Sequence, residues 1–121
     1  MKELTGMVAI VTGSSSGIGE TTAQRLSALG ATVVVNSSSS VEAGQKVSAA
    51  LPGESIYVQA DISDKAQGES LIQKTLDAFG KIDLLIIQLF LFFSLSVKML
   101  LNGILAFTFI KNCFDLHLII E

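Results

Sequence analysis

The chain has 121 residues, 50% of them hydrophobic, and a formal net charge of −3. This length predicts one domain, and a weakly negative chain without a cluster of Lys or Arg argues against a nucleic-acid partner. A single cysteine, Cys113, excludes an intramolecular disulfide, and residues 1–6 lack the charged-then-apolar pattern of a secretory signal, so we expect a reducing, cytoplasmic location.

The composition changes abruptly at Ile86. Residues 1–86 carry nine of the ten glycines, nine of the eleven acidic residues and one of the seven phenylalanines. Residues 87–121 carry the other six phenylalanines and only four charged side chains, in a dense mixture of Leu and Ile. We therefore expect two parts, 1–86 and 87–121, that differ in origin and structure.

Short apolar runs alternate with longer amphipathic runs along residues 1–86, which is the pattern of β-α-β units. Strands are predicted over four ranges, 7–11, 32–35, 55–59 and 84–86. Helices are predicted between them, over about 17–29, 39–51 and 64–79. The expected fold is α/β, a partial doubly wound parallel sheet in the order 3-2-1-4 with right-handed crossovers.

The apolar spacing within the helices predicts their buried faces. For the first helix the predicted stripe is Ile18, Thr22, Leu26 and Leu29, and for the third it is Ile72, Thr75, Leu76 and Phe79. The glycines that follow these helices, Gly30 and Gly80, are expected to end them in the left-handed conformation. Ser39 and Glu42 have the spacing of a capping box for the second helix.

The segment with chemical content is Thr12-Gly13-Ser14-Ser15-Ser16-Gly17-Ile18-Gly19, between the first strand and the first helix. A diphosphate can approach the backbone closely only where side chains are absent, as at Gly13 and Gly17, while Gly19 lets the helix pack against the strand. The helix N-terminus then offers unpaired N–H groups and partial positive charge, and the serine hydroxyls add donors. A dinucleotide is the predicted ligand.

This motif resembles the cofactor motif of the short-chain dehydrogenase/reductases. The resemblance continues through Asn36-Ser37-Ser38, Asp61-Ile62 and residues 80–86, and it is nearest to 3-oxoacyl-reductase-like, NADP-dependent members. It implies an oxidoreductase fold whose cofactor-binding residues are Gly13, Ser14, Ser15, Ser16, Gly17, Ile18, Gly19, Asn36, Ser37, Ser38, Asp61 and Ile62.

The residue at the end of the second strand bears on the choice of cofactor. NAD-dependent enzymes commonly place a carboxylate there, which would repel the 2′-phosphate of NADP. Here the position is Asn36, followed by Ser37 and Ser38, and an amide with two hydroxyls can donate to a phosphate. NADP is therefore favoured over NAD, the alternative being that these residues form only a polar turn.

The position after the third strand is Asp61, and the resemblance implies that its carboxylate holds the adenine amino group. The alternative is a turn in which Ser63 and Asp64 cap the third helix. Both readings are compatible with one another.

The resemblance ends after the fourth strand. Where the family has an Asn-Asn-Ala-Gly loop, this chain reads Ile87-Gln88-Leu89-Phe90, and the family's catalytic Ser and Tyr-(three residues)-Lys are not found. The only tyrosine, Tyr57, lies in a predicted strand, and neither Cys113 nor His117 has the surroundings of a catalytic or metal site. We expect no catalytic residues and no metal site, and hence a truncated chain that is catalytically incompetent alone unless another chain completes it.

Three interpretations of residues 87–121 stay open. Residues 84–110 contain one charge, Lys98, and could associate with a membrane, in which case the fragment could be regulatory. Alternatively, the segment covers the edge of strand four, with residues 89–93 lengthening that strand and 95–109 forming a helix across the sheet. The third interpretation is unselected sequence, translated after a premature splice or frameshift. The sequence leaves the substrate and the oligomeric state open.

Overall fold

The computed structural model describes residues 3–87 and, for the backbone, the strand 117–120. Its strands are β1 (Val8–Val11), β2 (Thr32–Ser37), β3 (Ser55–Gln59), β4 (Leu84–Ile87) and β5 (His117–Ile120). Its helices are α1 (Gly17–Ala28), α2 (Val41–Ala50) and α3 (Lys65–Phe79). Every element predicted for residues 1–86 is present with ends shifted by at most two residues, and β5 is an element that the sequence did not predict.

All five strands are parallel and form one sheet in the order β3-β2-β1-β4-β5. The predicted order 3-2-1-4 and the α/β class are therefore confirmed. The fifth strand pairs with β4 along its whole length, from Leu84 opposite His117 to Ile87 opposite Ile120. β4 is thus paired on both sides, with β1 and with β5, and its outer hydrogen-bonding groups are satisfied.

The central strands are buried on both faces, as is usual for a parallel sheet covered by helices. On one face Ile10, Val34 and Leu85 pack with Leu71 of α3. On the other face side chains of β1, β2 and β4 pack with Ala23 of α1 and with α2. Because successive side chains of β1 and β2 point to opposite faces that are both buried, each strand contains a continuous run of apolar residues.

The buried face of α1 differs from the predicted stripe. The residues in full contact with the sheet are small ones at four-residue spacing, Gly19, Ala23 and Ser27, whereas Ile18 is 70% exposed. Small side chains let the helix axis approach the strands, and the Ser27 hydroxyl accepts a hydrogen bond from the Gly53 N–H at 2.9 Å. In α3 the predicted Thr75 is buried, and the fully buried apolar residue is Leu71.

The glycine helix ends are confirmed, with φ of +101° at Gly30 and +76° at Gly80. The predicted capping box is wrong, because α2 begins one residue after Ser40 and has no side-chain cap hydrogen bond. Asp64 precedes α3 without a side-chain cap, and its carboxylate instead accepts a hydrogen bond from Gln67 Nε2 at 2.9 Å.

Within the part of the chain that the structure describes, no helix has the length and apolarity needed to cross a membrane. Several predictions for the C-terminal segment concern residues outside the described ones. They are the strand extension over 89–93, the helix over 95–109, residues 88–110 of the membrane interpretation, and Cys113.

Candidate functional site

The predicted site residues lie at the carboxyl ends of β1, β2 and β3 and in the segments that follow these strands. Because these strands are parallel neighbours, their carboxyl ends meet at one edge of the sheet, where open α/β folds bind ligands. The fold therefore brings together three stretches that are well separated in sequence: 12–19, 36–40 and 60–64.

Three glycines shape the loop after β1. Gly13 and Gly17 have φ of +59° and +60°, the left-handed region that favours glycine. A Cβ on Gly17 would meet no atom within 4 Å, so this residue faces open space. A Cβ on Gly19 would overlap the Gly13 carbonyl oxygen and lie 2.9 Å from the Cα of Ser14. Gly19 therefore brings the start of α1 close to the backbone of the loop, at Gly13 and Ser14, and the N-terminus of α1 opens to solvent beside Gly17.

The three serines of this loop have different surroundings. Ser14 is completely buried, and its hydroxyl donates to the Val11 carbonyl at 2.7 Å while accepting from the Asn36 N–H at 3.0 Å. Ser15 is half-buried, and Ser16 is exposed beside the exposed Ile18. Ser14 therefore holds the loop together, and Ser15 and Ser16 are the serines at its open side.

Asn36 is the polar centre of the site, with 2% of its surface exposed. Its side-chain amide donates to the carbonyls of Val58 and Ala60 at 3.0 and 3.1 Å, and its Oδ1 accepts the Gly13 N–H at 3.4 Å. The Asn36 carbonyl also accepts the Ser14 N–H at 2.8 Å. One side chain thus joins the ends of all three strands, and both amide hydrogens are used inside the protein.

Sequence reasoning treated Asn36 as a donor to phosphate and missed this structural role. The available signal was an amide directly after three consecutive valines in a strand, where burial is expected and every polar atom then needs a partner. The polar groups that remain available to a ligand here belong to the serines that follow Asn36.

Ser37 and Ser38 differ in burial, as the serines of the loop after β1 do. Ser37 is 4% exposed and its hydroxyl pairs with the Tyr57 hydroxyl. Ser38 is exposed, and its backbone carbonyl accepts a hydrogen bond from Gln59 Nε2. Of these two residues, Ser38 is therefore the one exposed to solvent, as are Ser39 and Ser40 after it.

The turn after β3 is ordered by Asp61. The Asp61 Oδ1 accepts hydrogen bonds from the Ser63 N–H at 3.0 Å and the Ser63 hydroxyl at 2.6 Å, so a turn is present here, but Asp64 makes no side-chain cap of α3. The Asp61 N–H donates to Gln67 Oε1 at 2.9 Å. These bonds engage one carboxylate oxygen and leave Oδ2 as an acceptor beside the half-buried Ile62.

The electrostatic character of the site comes from the backbone. Residues 12–19 and 36–41 contain no Lys, Arg, Asp or Glu, and the first carboxylates that follow them are those of Glu20 and Glu42. The N-termini of α1 and α2 both lie at this edge and contribute partial positive charge. Among residues 3–87, no group of three His, Cys, Asp or Glu could hold a metal ion.

Tyr57 is a strand residue, as the sequence predicted. Its ring lies against α2 at Gly44, where a Cβ would overlap the ring, and its hydroxyl is engaged by Ser37. It therefore belongs to the packing between β3 and α2.

The chain is similar to proteins of one family over most of its described length. A family model described as short chain dehydrogenase matches residues 7–88. A Streptomyces violaceoruber protein, whose name assigns it to the granaticin polyketide synthase as ketoacyl reductase 2, is 53% identical over 79 residues, which are 65% of this chain and 31% of the relative. A 3-oxoacyl-[acyl-carrier-protein] reductase of Synechocystis sp. is 45% identical over 71% of this chain and 36% of the relative.

Solved structures give the same result. A hydroxysteroid dehydrogenase from Escherichia coli superposes with a TM-score of 0.68 and 28% identity, over 71% of this chain and 37% of that one. A dehydrogenase/reductase from Sinorhizobium meliloti 1021 superposes with a TM-score of 0.67 and 34% identity, over 69% of this chain and 34% of that one. The chain thus spans about a third of the length of the proteins that it matches.

Proposed function

Because the chain belongs to the short-chain dehydrogenase family, whose members bind a nicotinamide dinucleotide, we propose that residues 1–86 bind NADP(H) at the edge formed by the loops after β1, β2 and β3. The observation that carries the proposal is the loop from Gly13 to Gly19, in which Gly19 packs closely against the backbone of Gly13 and Ser14 and Gly17 faces open space. Residues 87–121 are assigned no part in cofactor contact.

The diphosphate is assigned to the N-terminus of α1. A backbone without a side chain at Gly17 admits a phosphate to the first N–H groups of the helix, where the helix dipole favours an anion. Ser15 and Ser16 add hydroxyl donors, and the exposed Ile18 offers apolar contact at the same opening. The buried Ser14 stabilises this loop, because its hydroxyl donates a hydrogen bond to the Val11 carbonyl.

The preference for NADP over NAD rests on the loop after β2. A carboxylate at the position of Asn36 would repel a 2′-phosphate, and here the side chain is neutral. Since both amide hydrogens of Asn36 are used internally, we assign the phosphate contact to the exposed Ser38, next to the N-terminus of α2. A relative named as a 3-oxoacyl-[acyl-carrier-protein] reductase supports the same cofactor class.

The adenine is assigned to the turn after β3. The Oδ2 of Asp61 can accept a hydrogen bond from the adenine amino group, while Oδ1 keeps its two hydrogen bonds from Ser63. The half-buried Ile62 supplies apolar surface for the ring. This assignment makes no distinction between NADP and NAD, because both carry the same base.

Catalysis by the 121-residue polypeptide alone is not part of the proposal. The bound nicotinamide supplies a hydride acceptor or donor, but reduction of a carbonyl also needs a proton donor, a contribution of roughly 10²–10⁴-fold. The only tyrosine of the sequence, Tyr57, has its hydroxyl hydrogen-bonded to Ser37 and its ring packed against Gly44 of α2, so we assign it no role as proton donor. We expect no NADPH oxidation with carbonyl substrates by the purified chain, and activity that appears only with lysate would indicate completion by another chain.

The binding proposal is tested by titrating the purified 121-residue protein with NADPH and NADH in a calorimeter. The informative variant is Gly17→Ala, which places a methyl group in the open cradle and should weaken binding of both nucleotides by more than about tenfold. The matched control is Gly80→Ala, since Gly80 also has positive φ and open space around it but lies at the end of α3.

Both variants should lose about 1–2 kcal/mol of stability because a side chain is placed in the left-handed region. Only Gly17→Ala should lose binding. No heat with either nucleotide at millimolar concentration, or equal binding by the two variants, would overturn the proposal.

The cofactor preference has a separate test in Ser38→Asp. A carboxylate at this exposed position should lower the affinity for NADPH by about tenfold or more through repulsion of the 2′-phosphate, and leave the affinity for NADH nearly unchanged. Equal effects on both nucleotides would contradict the assignment of Ser38 to the phosphate.

A further inference from the structure

Several hydrogen bonds hold the loop after β2 to β3 and to Ala60, the residue that follows β3. The Ala60 N–H donates to the Ser37 carbonyl at 3.0 Å, and Gln59 Nε2 donates to the Ser38 carbonyl. The Tyr57 hydroxyl meets the Ser37 hydroxyl. Both peptide carbonyls that flank the Ser38 amide are thus fixed from the neighbouring strand.

Tyr57 has little freedom to move in this arrangement. Its ring occupies the space that a Cβ on Gly44 would need, with a ring carbon 2.6 Å from that Cβ position. The ring is rigid, so its contact with α2 fixes where the hydroxyl lies. Ser37 is 4% exposed, which leaves its hydroxyl no bulk water as a substitute partner.

We propose that Tyr57 is a specificity-determining positioning residue. By holding Ser37, it fixes the backbone that presents Ser38 to the 2′-phosphate of NADP(H). This inference rests on the proposed function and deepens it, because it names a residue that touches no cofactor and yet decides between NADP and NAD.

The physical reason is pre-organisation. A phosphate gains from a hydroxyl donor only if the donor is already in place, because ordering the loop on binding costs part of the gain. NAD has a free 2′-hydroxyl and no phosphate at this position. Loss of the Tyr57–Ser37 bond should therefore weaken NADPH binding and leave NADH binding nearly unchanged.

The test is the variant Tyr57→Phe, which keeps the ring against Gly44 and removes only the hydroxyl. The matched control is Ser55→Ala, which removes another hydroxyl pair made by β3, Ser55 Oγ to Ser48 Oγ of α2 at 2.7 Å, at the opposite end of the strand. Dissociation constants for NADPH and NADH are measured on the full 121-residue protein and on both variants.

A bond of ordinary strength predicts that Tyr57→Phe lowers the ratio of NADPH to NADH affinity by about 3- to 10-fold, and that Ser55→Ala leaves the ratio unchanged. Ser37→Ala should lower the ratio by the same factor, and the double variant Tyr57→Phe/Ser37→Ala should add nothing further, because both changes remove one bond.

The outcomes separate the two proposals. If the unaltered protein binds neither nucleotide, the proposed function fails and this inference fails with it. If the unaltered protein prefers NADPH and Tyr57→Phe keeps the same preference, only the inference is overturned. A parallel loss of NADPH and NADH affinity in Tyr57→Phe would also overturn it, since that is the result of a merely structural role.

Discussion

The side-chain amide of Asn36 donates a 3.0 Å hydrogen bond to the carbonyl oxygen of Val58, so that β2 and β3 are joined by a side chain where their backbone ladder ends. The same amide reaches Ala60, and its Oδ1 reaches the Gly13 N–H. The glycine loop and the turn after β3 are therefore held in a fixed relation by one buried residue.

This relation predicts a large cost for Asn36→Asp. The new carboxylate oxygen would face two carbonyl oxygens in place of the amide hydrogens, in a position that is 2% exposed. Loss of two donors and burial of an unpaired charge should lower the free energy of unfolding by about 2–5 kcal/mol. The measurement is urea denaturation followed by circular dichroism.

The matched control is Ser38→Asp, which adds the same charge to the same loop at an exposed position. Its effect on the free energy of unfolding should stay within about 0.5 kcal/mol. Equal denaturation midpoints for the two variants would show that the Asn36 bonds do not stabilise the fold.

A second prediction concerns the contact between α1 and the glycine loop. In Gly19→Ala the added methyl group would overlap the Gly13 carbonyl, so α1 must move away from the loop, at a cost of about 1–3 kcal/mol. Gly68→Ala is the control, because Gly68 lies inside α3 with no atom within 4 Å of the added carbon.

Gly68→Ala should raise stability by about 0.5–1 kcal/mol, since alanine is the better helix former. Thermal unfolding of the two variants should thus shift in opposite directions. A stabilised Gly19→Ala variant would contradict the close packing of α1 on the loop.

The strands and helices of residues 1–86 were predictable because their apolar periods and glycine stops are local signals. The buried face of α1 was not, since hydropathy favours Ile18 while close approach to the sheet requires small residues such as Gly19 and Ala23. The bonds of Asn36 were not predictable either. Its partners, Val58 in β3 and Ala60 just after it, lie 22 and 24 residues away, and only the finished fold brings them together.

The fifth strand was missed for a related reason. Residues 117–120 belong to a long, mostly apolar segment in which no alternation of polar and apolar residues marks the beginning of a strand. What defines β5 is its partner, because β4 offers an unpaired row of backbone groups that a parallel strand can satisfy. Such pairing depends on position in space and leaves little trace in sequence.

A third prediction concerns the opposite edge of the sheet. Asp83 Oδ2 accepts the N–H of the buried Val8 at 2.8 Å and lies 3.0 Å from Lys81 Nζ. Asp83→Ala should cost about 1–2 kcal/mol, because it leaves the first N–H of β1 without its partner. Lys81→Ala should have a much smaller effect, since the lysine side chain is 47% exposed and its ion pair is screened by water.

Neither change should alter nucleotide affinity, because Val8 lies at the amino end of β1 and the proposed site lies at its carboxyl end. The measurements are denaturation midpoints and NADPH titration. Equal destabilisation by the two variants would show that the ion pair, and not the bond to Val8, carries the stabilisation.

The last prediction separates the adenine contact from the phosphate contact. Asp61→Asn keeps an oxygen that can accept from Ser63 and replaces the free Oδ2 by an amide nitrogen. That nitrogen is a donor and would face the donor amino group of adenine, so the contact is lost. Affinity for NADPH and NADH should fall together, by about 3- to 10-fold.

The comparison variant Ser63→Ala keeps both carboxylate oxygens and should change either affinity by less than about twofold. If Asp61→Asn weakened NADPH alone, Asp61 would lie near the 2′-phosphate and the orientation proposed for the nucleotide would be wrong.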